Sequence, residues 1–299
     1  MVALSGSAGI PFQEEAQGYS MTCVCPRTFS NKERGILIQY PCGRCIACRI
    51  QKTGEWQTRL LCEMQYYVDT SFITLTYDDD HIPSDRGLVK DHLRNFFKRL
   101  RNHVKTPFKH FSVGEYGDLD TRPHYHSLIL GWYPSDCFNQ GVGKPRFVSP
   151  LLSKVWPFGF NTVGVVEQKS IDYVTGYVRK KLYGPPAKEL YGDRQPPFQL
   201  NSIGIGRRYV EDHKDEILKN KGVVINGRNR GICRYFWQKL DLPQPEEDAF
   251  KEEVMRERER KREVEAQVKN LSDNYIWDDR KQKEKNLLAK EKLFTRGVI

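Results

Sequence analysis

Three groups of residues have the types and spacing to do chemistry. The first lies in Arg122-Pro-His124-Tyr125-His126. Side chains alternate along a strand, so His124 and His126 would project from one face, about 7 Å apart, with Tyr125 on the other. Two imidazoles so placed can bind one divalent cation when a third ligand arrives from a neighbouring strand. Glu115, in Gly114-Glu115-Tyr116-Gly117, is the candidate for that third ligand. Two surface histidines on a half-exposed strand fit the same pattern, and the pair alone does not decide between the readings. The second group lies between Ser170 and Lys181, where Tyr173 and Tyr177 would share one helix face, with Arg179, Lys180 and Lys181 on the next turn. A phenol is a usable nucleophile toward a phosphodiester when a metal polarises the phosphate. A tyrosine pair packed into a core is the plainer account. The third group is Cys42-x2-Cys45-x2-Cys48 with Cys23 upstream, four thiols that suffice for a closed tetrahedral structural zinc. Cys25 competes for the fourth place. The same spacing also suits iron–sulfur ligation, and thiols with no metal remain the third option.

Those side chains need elements to position them. Trp56, Leu60, Met64 and Tyr67 recur at helical spacing, and a second amphipathic helix is expected from Lys90 to Val104, with Leu93, Phe97, Leu100 and Val104 as its apolar stripe. Strands are expected at Ser71–Tyr77, His110–Tyr116, Pro123–Trp132 and Phe160–Val166. A Pro/Gly-rich excursion over 133–158 precedes the last of these, and a helix over Ser170–Leu182 follows it. Val174, Thr175, Gly176 and Val178 are poor helix formers, so propensity alone does not account for that helix. The order strand, helix, strand, strand, insertion, strand, helix predicts an α+β fold: an antiparallel sheet covered by helices, as in ferredoxin-like folds. Gly204-Ile-Gly206-Arg207-Arg208 reads as a tight basic turn whose arginines could hold a DNA phosphate or form an ordinary basic loop. Asp78-Asp-Asp-His81, directly after a strand, reads as a solvated turn. Cys62, Cys137 and Cys233 are isolated and read as plain buried residues.

Composition narrows the class. The chain has 299 residues and a formal net charge of +10. Residues 246–299 carry 14 basic and 14 acidic side chains, so the whole excess sits in 1–245. A body with that surplus attracts a polyanion, of which nucleic acid is the commonest, although a basic protein without such a partner has the same composition. No apolar run approaches a membrane span, and no secretory signal is legible, so a reducing cytoplasm and no membrane partner are expected. In that compartment eight cysteines do not form a disulfide framework.

In combination, the His-x-His strand and the downstream Tyr-x3-Tyr-x2-Lys-Lys helix resemble the HUH endonucleases, the rolling-circle replication initiators and relaxases. The chain is more closely similar to the replication initiators of the Microviridae, small single-stranded DNA phages, and to those of the Gokushovirinae in particular. Cys42-Gly-Arg-Cys45-Ile-Ala-Cys48, Gly114-Glu-Tyr-Gly117, Arg122-Pro-His-Tyr-His126 and the double-tyrosine helix carry that resemblance over residues 21–240. It implies an HUH nuclease core at 69–184, preceded by a flexible arm (1–20) and a Cys-rich, zinc-like module with its helix (21–68). An accessory DNA-contacting region (185–245) and a charged helical tail (246–299) would follow. It implies that Tyr173 and Tyr177 are nucleophiles, that His124, His126 and Glu115 hold Mg²⁺ or Mn²⁺, and that Lys181 or Lys180 contacts the phosphate. The implied reaction nicks the plus-strand origin of single-stranded DNA through a 5′-phosphotyrosine and later joins the displaced strand into a circle. Strand displacement requires a helicase and this chain has no P-loop, so a host helicase and polymerase in a bacterial cytoplasm would be partners. Two rivals stand beside it. A non-catalytic zinc-containing single-stranded nucleic-acid-binding protein would leave the tyrosine helix without a purpose. A histidine phosphoesterase would need a third histidine where Leu128 stands, or a second His-x-Ser/Thr repeat.

Overall fold

A computed structural model describes residues 23, 25–31, 36–117, 122–180, 185–268, 282 and 285–289. The chain divides into two units, one drawn from 1–49 and 242–299, the other from 50–241. In the first unit, β1 (Arg27–Asn31) and β2 (Ile36–Tyr40) form an antiparallel hairpin. Helix α1 (Ile46–Met64) begins there and runs on into the second unit. The expected arm over 1–20 lies outside the described residues.

The second unit is built on β3 (Thr70–Tyr77), α2 (Lys90–His103), β4 (Lys109–Tyr116), β5 (Pro123–Leu130), β6 (Phe138–Asn139), β7 (Phe147–Val148), α3 (Pro150–Val155), β8 (Gly159–Gly164) and α4 (Gln168–Lys180). It continues through α5 (Pro185–Tyr191), β9 (Phe198–Asn201), α6 (Arg207–Asp212), α7 (Lys214–Asn220), β10 (Val223–Ile225), β11 (Arg228–Arg230) and α8 (Arg234–Leu240). Seven strands pair in the order β6-β7-β8-β3-β5-β4-β9, every described pairing antiparallel. The expected α+β class, an antiparallel sheet with helices, is thus what the chain adopts.

Two features lie beyond the local sequence signals. The Pro/Gly-rich stretch contains α3, which starts where the Ser149 hydroxyl accepts from the Leu152 amide and Pro150 fills the first helical position. The sheet also extends past residue 184, because β9 pairs with the free edge of β4. Gly114 permits that approach: a Cβ there would meet the Phe198 ring at 2.9 Å.

Register divides the sheet into two faces. Ile73, Leu75, Tyr77, Tyr125 and Ile129 point one way and pack with Leu93, Phe96, Phe97 and Leu100 of α2 and with Leu152, Val155 and Trp156. Each of those α2 side chains is essentially buried and contributes roughly 2 kcal/mol by leaving water. The buried phenols on this face are satisfied: Tyr77 and Tyr125 hydroxyls lie 2.8 Å apart, and Tyr125 accepts from the Val89 amide. On the other face lie Phe111, Val113 and Glu115 of β4, His124 and His126 of β5, and Phe72, Thr74 and Thr76 of β3. Helix α4 packs there against β4 and β5, and Trp56 of α1 packs on Phe111 with ring centroids 4.9 Å apart.

Returning to the first unit, α9 (Gln244–Val268) realises the charged helix up to residue 268, stitched by pairs such as Glu247–Lys251 and Glu252–Arg256. Most of the expected tail beyond it lies outside the described residues. No helix among the described residues is long and apolar enough to cross a membrane.

Candidate metal and nucleophile site

The site starts from the cross-strand register. Glu115 on β4 pairs directly with His124 on β5, and Val113 pairs with His126, so the carboxylate and both imidazoles share one face. Glu115 Oε1 lies 2.5 Å from His124 Nε2 and 3.2 Å from His126 Nε2, and the three donor atoms all fall within 4.8 Å of one another. Both rings are anchored through the opposite nitrogen. His124 Nδ1 bonds the Arg122 carbonyl at 2.9 Å, and His126 Nδ1 meets the Thr74 hydroxyl at 3.0 Å. That arrangement aims both Nε2 atoms at the carboxylate, as in sites where an outer partner orients a metal-ligating histidine. Tyr125, between the histidines, is buried on the far face as alternation predicts.

Burial opposes ionisation of Glu115, but the bonds from His124 and His126 outweigh it and hold the carboxyl at about 2. His126, 5% exposed, is shifted down by burial, against the pull of Glu115, which favours the neutral ring a cation needs. One carboxylate and two neutral imidazoles form a mixed oxygen and nitrogen donor set that suits a divalent cation.

Helix α4 brings the phenols. Ile171, Val174 and Thr175 are fully buried on its inner face, and this packing explains a helix whose residue types have poor propensity. Gln57 of α1 donates to Asp172 at 2.9 Å and fixes the helix in place. Tyr173 and Tyr177 then stand over His126. The Tyr173 hydroxyl is 3.4 Å from His126 Nε2, and the Tyr177 hydroxyl donates to it at 2.6 Å. Tyr177 stacks on the His126 ring with centroids 5.7 Å apart, and Phe72 stacks on the same ring at the same distance. Tyr173 is 43% exposed, whereas Tyr177 is half-buried and its phenol is pushed up by burial and by the Glu115 charge.

The structure therefore brings together Tyr173, Tyr177, His124, His126 and Glu115. Lys181 and the side chain of Lys180 lie outside the described residues. The cysteines gather elsewhere, in the other unit: Cys23, Cys25, Cys42 and Cys45 sulfurs all lie within 4.8 Å of one another, and Cys48 is 4.0 Å from Cys42. Cys62 and Cys233 are buried and Cys137 is half-buried. Arg207 and Arg208 are each paired within α6, with Glu211 and Asp212. Asp78 caps its own turn by accepting from the His81 amide and ring.

Two residues near the site carry no signal in the sequence. Thr74 matters because register sets it opposite His126. Phe160 pairs with Thr76, which pairs with His124, so an exposed ring (65%) stands on the site's face two strands away. Each is an ordinary strand residue until the pairing is known.

With this geometry in place, comparison with known proteins is decisive. The family model of replication-associated protein ORF2 matches residues 70–182, from β3 through α4. The chain is 32% identical over 220 residues to replication-associated protein VP4 of Bdellovibrio phage phiMH2K, covering 69% of each chain. It is 30% identical over 219 residues to replication-associated protein ORF2 of Spiroplasma virus 4, covering 69% of this chain and 67% of that one. The chain belongs to the family of phage replication-associated proteins. A further member of the family, replication-associated protein ORF4 of Chlamydia phage 1, is 31% identical over 208 residues, covering 66% of this chain and 52% of its own. No solved structure matches the chain significantly. The family model spans all five residues of the site, from Glu115 to Tyr177, and none of the cysteines from Cys23 to Cys48.

Proposed function

We propose that this protein is an HUH-type replication initiator that nicks and rejoins single-stranded phage DNA with a tyrosine nucleophile. The observation that carries the reading is the approach of the Tyr173 hydroxyl to 3.4 Å from Nε2 of His126, beside a carboxylate and a second imidazole. Glu115, His124 and His126 would hold Mg²⁺ or Mn²⁺, whose chemistry is to polarise the scissile phosphate and stabilise charge on the leaving oxygen. Tyr173 is the more exposed phenol and is the better placed to attack first. Its oxygen forms a bond to phosphorus as the bond to the 3′ oxygen breaks, leaving a 5′-phosphotyrosine and, once that oxygen takes up a proton, a free 3′-hydroxyl. Tyr177, hydrogen-bonded to Tyr173, orients it in the first step and supplies the nucleophile for the second cleavage. The released 3′-hydroxyl then attacks the phosphotyrosine and closes the circle. Extension of the 3′ end would fall to a host polymerase and strand opening to a host helicase. A non-catalytic binder would use the same positive charge, but it leaves unexplained why two phenols converge on a Glu–His–His group.

The test uses denaturing gels with single-stranded oligonucleotides tiled across the genome that encodes the chain, in the presence of Mn²⁺. A covalent protein–DNA adduct is expected on one segment, lost with EDTA and lost when Tyr173→Phe and Tyr177→Phe are combined. Tyr173→Phe alone should remove most of it. An adduct that persists in the double variant overturns the residue assignment, and nicking with no adduct overturns the phosphotyrosine route.

A further inference from the structure

The five N-terminal thiols take no part in the proposed reaction, yet they are arranged as a ligand set. Tetrahedral zinc with sulfur at about 2.3 Å requires its sulfurs about 3.8 Å apart. Here Cys25 and Cys42 sulfurs are 3.4 Å apart and Cys23 and Cys45 are 3.8 Å apart, with all four inside 4.8 Å. A multi-iron cluster places iron and sulfide between its ligands and would hold them wider apart.

Backbone donors support charged sulfur at this place. The amides of Arg44 and Cys45 point at Cys42 Sγ at 3.4 and 3.3 Å, and the Cys42 amide points at Cys23 Sγ at 3.3 Å. Gly43 adopts φ +73°, the left-handed conformation that turns both amides onto one sulfur and that other residues adopt only with strain.

The hairpin also needs such a staple. Phe29 and Tyr40 on its strands are exposed, and an isolated two-stranded hairpin is marginal in water. Cys25 lies just before β1, Cys42 just after β2 and Cys45 at the entry to α1. One ion bound to them would tie together both ends of the hairpin and the start of the helix, and its binding energy would be folding energy.

We infer that Cys23, Cys25, Cys42 and Cys45 bind one structural Zn²⁺ that closes the β1–β2 hairpin onto the start of α1, with Cys48 as a neighbouring thiol outside the ligand set. The site is separate from the Glu115, His124 and His126 group and lies in the other unit.

The full chain, purified under reducing conditions without chelator, should contain one zinc per molecule by elemental analysis. Replacement with Co²⁺ should give the ligand-field and sulfur-to-metal charge-transfer bands of a tetrahedral four-thiolate site. Cys45→Ser should remove the metal and Cys25→Ser should weaken its retention at least tenfold in a chelator competition, while Cys48→Ser should keep it. The cobalt spectrum of the unmodified chain does not depend on whether a variant folds. Absence of metal, an iron or iron–sulfur chromophore, or disulfides joining these cysteines in place of an ion would overturn the proposal. Loss of zinc in Cys48→Ser with retention in Cys25→Ser would overturn the ligand set. None of these readouts depends on nicking, so a negative adduct assay leaves them unaffected.

Discussion

His126 is held by contacts of three kinds: a hydroxyl at Nδ1, a carboxylate at Nε2, and flat rings on Phe72 and Tyr177. Of these, only the carboxylate and Tyr177 lie in motifs legible in the sequence. The hydroxyl belongs to Thr74, one of three threonines on β3, and nothing in its local sequence marks it. Yet an outer-shell partner of this kind fixes which ring nitrogen faces the ligand position, and losing one typically costs ten- to a hundredfold in metal affinity. Thr74→Val keeps the shape and the strand propensity and removes only the hydroxyl. On the proposed function, the Mn²⁺ concentration giving half-maximal adduct should rise about tenfold, and saturating Mn²⁺ should restore most of the yield. A variant with unchanged metal dependence would mean that Thr74 does not orient the ring.

The elements with strong local periodicity were legible: α2, β3, β4, β5, β8 and α4 all stand within a few residues of where alternation or helical spacing put them. What was not legible is what pairs across distance. Strand β9 joins β4 from more than eighty residues away, and α3 sits inside a stretch whose prolines and glycines read as loop. The strand order likewise follows from long-range pairing, not local propensity. One such pairing carries a measurable pH effect. His110 on β4 is buried, with its ring stacked 3.7 Å from Phe97 of α2 and its Nδ1 3.1 Å from the Ser112 hydroxyl. Burial, with Arg101 adding to it, pushes this imidazole down to about 3. The unfolded chain therefore binds a proton that the folded chain refuses between that value and 6.5, so this contribution is complete above pH 6.5 and is lost as pH falls. Between about pH 6.5 and about pH 5 the loss should be about 2 kcal/mol. Glu115, also held low, contributes in a separate and more acidic window, below its ordinary carboxyl range. Denaturant unfolding at pH 7 and pH 5 should show that loss in the parent chain. In His110→Gln it should largely vanish, and an equal loss in the variant would assign the acid sensitivity elsewhere.

At the scale of the whole molecule, the charge surplus is placed where the proposed chemistry is. The excess of ten positive charges lies within residues 1–245, while 246–299 balances to zero and is stitched internally where it is helical. A body that only carried surface charge for solubility would have no reason to segregate it from the tail. A body that binds single-stranded DNA would release counterions on binding, and log affinity would fall linearly with log salt at about −0.7 per phosphate neutralised. Arg207 and Arg208 are already paired with acids on their own helix, so the phosphate contacts must come mainly from other cations. For a single-stranded oligonucleotide titrated between 50 and 300 mM salt, we expect a slope of about −3 or steeper, corresponding to four or more phosphates. Exchanging Glu252 and Arg256 in α9, which keeps the ion pair and the net charge, should leave that slope unchanged. Arg207→Gln combined with Arg208→Gln should change it by less than about 0.7, one phosphate's worth. A flat salt dependence in the parent chain would remove the polyanion from the reading of its charge. A slope that collapses on the α9 exchange would move the binding surface onto the tail.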